Sequence, residues 1–335
     1  MIHKIGPLLV CALLAAPAYG GSATPDAHCN AVYGNAPQRL TQSPTAIPAR
    51  VTALLGECTL TGGEILDWSD ADGTRRKACL HVPAQASATA PLPLVIFLQA
   101  SILPAEPQNL MSNFVFQYRF ADLSGDPQRP GFILLTPYGR DTSHFYPFPA
   151  QTGLGYDHWY RNLDRTDPAL NVDVAAIDHY IAEVKARGIV DEKRVYATGW
   201  SNGAAMGLLY GLNTPGIAAT AVYSSSDPFQ DERDPCGQKP FASNPRPVML
   251  VHNDCDLGGF CQTANVTFSQ AMRENLPQVT LRPAIINVLQ QEVYACVALC
   301  RNPSFIISPG LPRHTLWPTL WNDDFFGFLR EHPLP

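Results

Sequence analysis

Residues 194–206 read Arg194-Val195-Tyr196-Ala197-Thr198-Gly199-Trp200-Ser201-Asn202-Gly203-Ala204-Ala205-Met206. The first part, 194–198, is an apolar β-rich run, and from Asn202 onward small and apolar residues suit a buried helix. Between them stands G-x-S-x-G, with Ser201 at its centre. A serine held on so sharp a strand-to-helix turn needs neighbours without side chains, so that the chain folds tightly and the helix packs against the strand. The helix N-terminus then turns its partial positive charge toward the serine. Ser201 is therefore the candidate nucleophile.

Working outward, continuous apolar runs recur at Leu92–Leu98, 132–136, 219–224, 248–252 and 305–308. Helical stretches separate them, near 110–123, over 171–187, from 202 and from about 319. In the second of these, Ile177, Ile181 and Val184 recur at helical spacing and Gly188 stands where a C-cap belongs. Strands that are apolar throughout, rather than alternating, suit a parallel sheet covered on both faces. The expected class is α/β, one domain over 56–335, opened by a hairpin that ends near Val82 and a polar break at 84–90.

The 335 residues, 46% of them hydrophobic, can bury a full core. Residues 1–20 carry His3 and Lys4, an apolar segment over 8–16, and small residues at Ala18-Tyr19-Gly20, the layout of an export signal. That segment is too short for a spanning helix, which needs about 20 apolar residues, and no later run reaches that length. Residues 21–55, rich in Ala, Pro, Thr and Ser, read as an irregular leader. Loss of 1–20 would move the formal charge from −6 to −7, which argues against a nucleic-acid partner.

Without Cys11, eight cysteines remain: Cys29, Cys58, Cys79, Cys236, Cys255, Cys261, Cys296 and Cys300. An even number in an exported chain points to disulfides, so secretion or a periplasmic location is expected. None of the pairs has the C-x-x-C spacing of a zinc site, and no metal is expected. Cys58 and Cys79 flank the turn signal Ser69-Asp70-Ala71-Asp72-Gly73, which could bring them together across a hairpin.

A serine hydroxyl needs a base within hydrogen-bond reach, and the base needs a carboxylate to fix its tautomer. In the α/β-hydrolase fold the chain order is Ser, then Asp or Glu, then His. Asn253-Asp254-Cys255-Asp256 follows the run 248–252, at a strand end where α/β folds build their sites. Pro309-Gly310-Leu311-Pro312-Arg313-His314 follows 305–308. His252 closes a strand and reads as a structural hydrogen-bond partner. His314, in a loop past the last run, reads as the base.

From Arg76 to Leu329 the chain resembles the secreted esterases related to polyhydroxybutyrate depolymerases and feruloyl esterases. The resemblance is carried by 194–206, by Val251-His252-Asn253-Asp254-Cys255-Asp256 and by His314-Thr315-Leu316-Trp317-Pro318. It implies that Asp256, four positions after His252, is the acid of the triad rather than Asp254. It also implies His314 as base, although Trp317-Pro318 stands one residue further from it than in the family pattern. After the first long strand, where those esterases carry His-Gly, this chain has Gln99-Ala100-Ser101. That turn ordinarily gives one oxyanion N–H, so Ala100 or Ser101 is expected to supply it, with Asn202 supplying the other.

The implied chemistry is acyl transfer to Ser201 without metal or organic cofactor. Tyr138, Phe145, Tyr146, Phe148, Tyr156, Trp159 and Tyr160 crowd one loop, and Trp200 and Trp317 adjoin the motifs. Tyr138, Trp159, Trp200 and Trp317 are expected to line an apolar substrate site. Three readings stay open: an ester or polyester hydrolase, a hydrolase of β-diketones of the oxidised polyvinyl alcohol type, and a non-catalytic polymer-binding module.

Overall fold

The computed structural model describes residues 58–70, 73, 75–101, 105–144, 151–156, 165, 172–225, 227–228, 242–256, 262–288 and 310–335. The signal and leader, the run 305–308 and the aromatics Phe145, Tyr146, Phe148, Trp159 and Tyr160 lie outside these residues. In chain order the strands are β1 (Glu64–Ser69), β2 (Arg75–His81), β3 (Leu92–Leu98), β4 (Ile133–Pro137), β5 (Arg140–His144), β6 (Gln151–Gly155), β7 (Val190–Trp200), β8 (Ala219–Tyr223), β9 (Val248–Asn253) and β10 (Leu281–Ile286). The helices are α1 (Ala105–Met111), α2 (Phe114–Gln117), α3 (Val172–Ala186), α4 (Asn202–Asn213), α5 (Gln262–Asn275), α6 (Gly310–His314) and α7 (Asn322–Glu331).

Eight strands form one sheet in the order β1-β2-β4-β3-β7-β8-β9-β10, and β5 and β6 form a separate hairpin. The β1–β2 and β2–β4 pairings are antiparallel, and every pairing from β4 to β10 is parallel. A parallel sheet with helices on both faces, entered through an antiparallel hairpin, is the α/β-hydrolase architecture. Along β3 every residue is buried, and the pleat deals them alternately to two cores. Leu94, Ile96 and Leu98 join the core that includes α3 and α4 residues. Val95 and Phe97 join the other, with Phe114, Trp317 and Phe325.

Helix α4 has buried residues on all sides, from Gly203 to Asn213, which explains its uninterrupted small and apolar sequence. The helix expected over 110–123 is broken: Asn113, with φ 66°, separates α1 from α2. Asparagine is among the few residues that enter this left-handed region readily, and periodicity alone does not register it. Strand β10 went unrecognised because Pro283 and its largely exposed neighbours make a poor apolar run, as befits an edge strand. Cys58 and Cys79 are disulfide-bonded, with Cα atoms 5.7 Å apart, which ties the turn before β1 to β2. Among the described residues no helix is long and apolar enough to cross a membrane.

Parallel register brings the C-terminal ends of the central strands to one level: Leu98 faces Gly199, Gly199 faces Val222, and Tyr223 faces Val251. Whatever follows these residues is therefore delivered to a common edge of the sheet.

Candidate active site

At the end of β7 the chain turns into α4 through Ser201, whose φ of 55° and ψ of −117° lie outside the ordinary regions. Such a conformation costs on the order of 1–3 kcal/mol and persists only where its surroundings enforce it. The two glycines of the motif make it sterically feasible. A methyl on Gly203 would lie 2.2 Å from the Leu98 carbonyl oxygen, and one on Gly199 would lie 2.3 Å from that of Gly203. Helix α4 thus lies directly against β3 and β7, and the Ser201 N–H is anchored on the Tyr223 carbonyl at 3.0 Å.

Ser201 Oγ lies 2.8 Å from His314 Nε2. On the far side of the ring, His314 Nδ1 lies 2.6 Å from Asp256 Oδ1. The Asp256 side chain is fully buried and that of His314 is 11% exposed. A buried carboxylate beside Nδ1 favours the proton on that nitrogen, which leaves the Nε2 lone pair facing the serine hydroxyl. The three side chains come from the ends of β7, β9 and α6. The structure brings together the three residues singled out in the sequence as nucleophile, acid and base.

The segment bearing His314 is held by its backbone. Trp200 Nε1–H donates to the His314 carbonyl at 2.9 Å, and the Tyr223 hydroxyl donates to the Arg313 carbonyl at 3.3 Å. Asn253 Nδ2 bonds the same Tyr223 oxygen. Burial, with the Asp256 charge adding to it, pushes the Tyr223 phenol well up, so it stays a donor. His252 occupies the structural place expected for it: 2% exposed, it donates from Nε2 to the Ser225 carbonyl at 3.1 Å. Burial pulls its pKa down to about 4, so the ring is neutral at pH 7.

The opposite side is built from the β3 turn. Gln108 grips Ala100 twice, Oε1 accepting from its N–H at 2.6 Å and Nε2 donating to its carbonyl at 3.0 Å. The Ala100 N–H is therefore committed, a correction to its expected place in an oxyanion hole, and Ser101 keeps that expectation. Gln99 Oε1 accepts from Gly139 N–H at 3.1 Å. Asn202 and Tyr156 are joined twice: Tyr156 N–H donates to Asn202 Oδ1 at 2.7 Å, and Asn202 Nδ2 donates to the Tyr156 carbonyl at 2.9 Å. The Tyr156 hydroxyl donates to the Pro137 carbonyl and accepts from the Gln99 N–H at 3.3 Å. One residue thus spans both turns expected to supply oxyanion donors.

Two aromatics leave the substrate-lining role expected of them, and Tyr156, from the aromatic loop, is fully buried and acts as this strut. Trp200, 1% exposed, supports the His314 backbone. Trp317, 5% exposed, packs edge-on against Phe97, Phe114, Trp200 and Tyr223 and donates to Asn322 Oδ1 at 2.7 Å. Neither tryptophan presents a face to a substrate, because an indole next to a strand end is as readily core as wall. Tyr138 is half-buried beyond the end of β4.

Sequence reasoning missed Ser224. Its hydroxyl donates to Asp256 Oδ2 and lies 3.1 Å from His314 Nδ1, and its φ is 57°. The signal available was its place: the residue that closes the run 219–224, one past the end of β8 and beside the nucleophile strand.

No family model matches the chain, and no curated protein matches it. Solved structures of related shape include a thermostable esterase, 14% identical with a TM-score of 0.46, over 81% of this chain and 63% of that one. Thermogutta terrifontis esterase 2 phosphoramylated by tabun is 13% identical with a TM-score of 0.48, over 79% of this chain and 94% of that one. Porphyromonas gingivalis dipeptidyl peptidase 4 is 16% identical with a TM-score of 0.40, over 73% of this chain and 35% of that one. The strand order β1-β2-β4-β3-β7-β8-β9-β10 and the doubly covered sheet are those of the α/β-hydrolase fold.

Proposed function

We propose that this protein is an exported serine hydrolase that cleaves carboxylic esters through an acyl-enzyme on Ser201. The observation that carries the reading is the unbroken hydrogen-bonded series from Ser201 Oγ through His314 to Asp256. His314 Nε2 takes the Ser201 proton as Oγ bonds to the ester carbonyl carbon. The resulting oxyanion is held by N–H groups of Asn202 and the Ser101 turn. Collapse of the tetrahedral species breaks the C–O bond, and the leaving alkoxide takes the proton from His314 as alcohol. Water, deprotonated by His314, then attacks the acyl group, releasing the acid and restoring Ser201. Asp256 stays ionised throughout and holds the ring.

Within this class the resemblance in 194–206, 251–256 and 314–318 supports a polyester such as polyhydroxybutyrate, or feruloyl-type esters, as substrate. Residues 1–20 and the Cys58–Cys79 bridge support export to an oxidising compartment. A second substrate class, β-diketones, is favoured by the Gln99-Ala100-Ser101 turn, which stands where the resembled esterases have His-Gly and suits a changed oxyanion site. In that reaction the carbon–carbon bond breaks, an enolate leaves and takes the His314 proton, and the same acyl-enzyme follows.

The test is hydrolysis of short-chain nitrophenyl esters by the protein and by its Ser201→Ala variant, followed by polyhydroxybutyrate film, a methyl ferulate and a β-diketone. The proposal expects ester turnover that vanishes in the variant. Turnover that survives Ser201→Ala would overturn it, and cleavage of the diketone alone would select the second class.

A further inference from the structure

We propose that Ser224 is a positioning residue for the acid–base pair, setting both the rotation of the Asp256 carboxylate and the tautomer of His314. The inference rests on the reading of Ser201, His314 and Asp256 as the reacting triad and goes beyond it. The Ser224 hydroxyl has one proton and two lone pairs. It gives the proton to Asp256 Oδ2 and presents a lone pair toward His314 Nδ1, 3.1 Å away. Asp256 Oδ1 is meanwhile 2.6 Å from the same Nδ1. Each carboxylate oxygen then has its own assigned partner, so rotation about Cβ–Cγ breaks two bonds at once. With two acceptors facing Nδ1, the proton belongs on that nitrogen, and Nε2 is left to accept from Ser201.

The backbone supports the same reading. Ser224 has φ 57°, a conformation that favours glycine, and yet it carries a fully buried hydroxyl. Its turn is fixed without help from that hydroxyl. The Ser224 N–H donates to the Val251 carbonyl at 2.8 Å, and His252 donates to the Ser225 carbonyl. A side chain that the turn does not need, at a φ where glycine is easier, points to a role in what the side chain touches.

The test compares Ser224→Gly and Ser224→Ala in the full protein. Both lose the hydroxyl, and only the glycine variant relieves the backbone. Because a hydrogen bond to a charged group is removed, kcat for a nitrophenyl ester is expected to fall about 10- to 100-fold in both, with KM within about twofold. Thermal stability of the glycine variant is expected to equal or exceed that of the alanine variant. A readout independent of turnover is the downfield proton NMR signal of His314 Nδ1–H, expected to move in both variants. Unchanged kcat together with an unmoved signal would overturn the proposal. So would an activity loss that glycine restores, since that would make the role one of backbone shape. If the wild-type protein hydrolyses no ester, the triad reading fails, whereas the NMR comparison still decides what Ser224 holds.

Discussion

The two sides of Ser201 are built by different means. On the acid–base side, Asp256, Ser224 and His314 meet directly through charged or polar side chains, all at the ends of β8, β9 and α6. On the side proposed to hold the oxyanion, the proposed donors are backbone N–H groups, and side chains brace the turns that carry them: Gln108 on Ala100, Asn202 on Tyr156, Tyr156 on Gln99. The first side is therefore sensitive to the identity of single residues. The second is expected to tolerate replacement of the turn residues themselves, provided the struts persist; Gln99-Ala100-Ser101 stands where the resembled esterases have His-Gly.

That contrast predicts a graded series of losses. Ser201→Ala is expected to lower kcat by about 10⁴–10⁶, because residues that act as a unit fail together. Asp256→Asn is expected to cost about 10⁴ in kcat, since the amide no longer fixes the Nδ1–H tautomer. Steady-state kinetics on a nitrophenyl ester check both. On the other side, Tyr156→Phe removes the link between the two turns and leaves the buried Gln99 N–H and Pro137 carbonyl without it. A loss of about 1–3 kcal/mol in stability and a 10- to 100-fold drop in kcat are expected, measured by denaturant melts and the same assay. Parity between Tyr156→Phe and Asp256→Asn would erase the distinction drawn between the sides.

The last effect concerns pH and bears on stability rather than turnover. The His252 ring titrates near pH 4 because of burial, and His81, buried on β2, does likewise, with the Arg119 charge adding to its burial. Free imidazole titrates at about 6.5, so between 6.5 and 4 the unfolded chain holds protons that the folded chain lacks. Stability is therefore expected to fall as pH is lowered through that window, by up to about 3 kcal/mol per histidine. Melts at pH 7 and pH 4.5 check it, and His252→Gln is expected to flatten part of the slope while leaving the oxyanion side untouched.

The fold was readable because its central strands are apolar on both faces and separated by helical periods. Ser201 and His314 were readable because chain order and strand ends restrict the choice among many serines and histidines, whereas Asp256 was set apart from Asp254 by the family resemblance. Ser224 was hidden because a serine after a strand looks like turn chemistry, and its partners lie 32 and 90 positions away. Trp200 and Trp317 were misjudged for a related reason: local sequence gives an indole's address but not which way it faces. Gln108 and Tyr156 act through backbone atoms, and no residue pattern marks a bond to a carbonyl. Asn113 and Pro283 show where periodicity fails, at a single left-handed residue and at a sheet edge.

The most direct test of the account is covalent. Two serines, Ser201 and Ser224, lie within hydrogen-bond distance of His314, on Nε2 and Nδ1 respectively. Reaction with a serine-directed phosphonate, followed by peptide mapping, is predicted to place the adduct on Ser201 alone, with activity lost in step with labelling. An adduct on Ser224, or full activity with Ser201 labelled, would contradict the account.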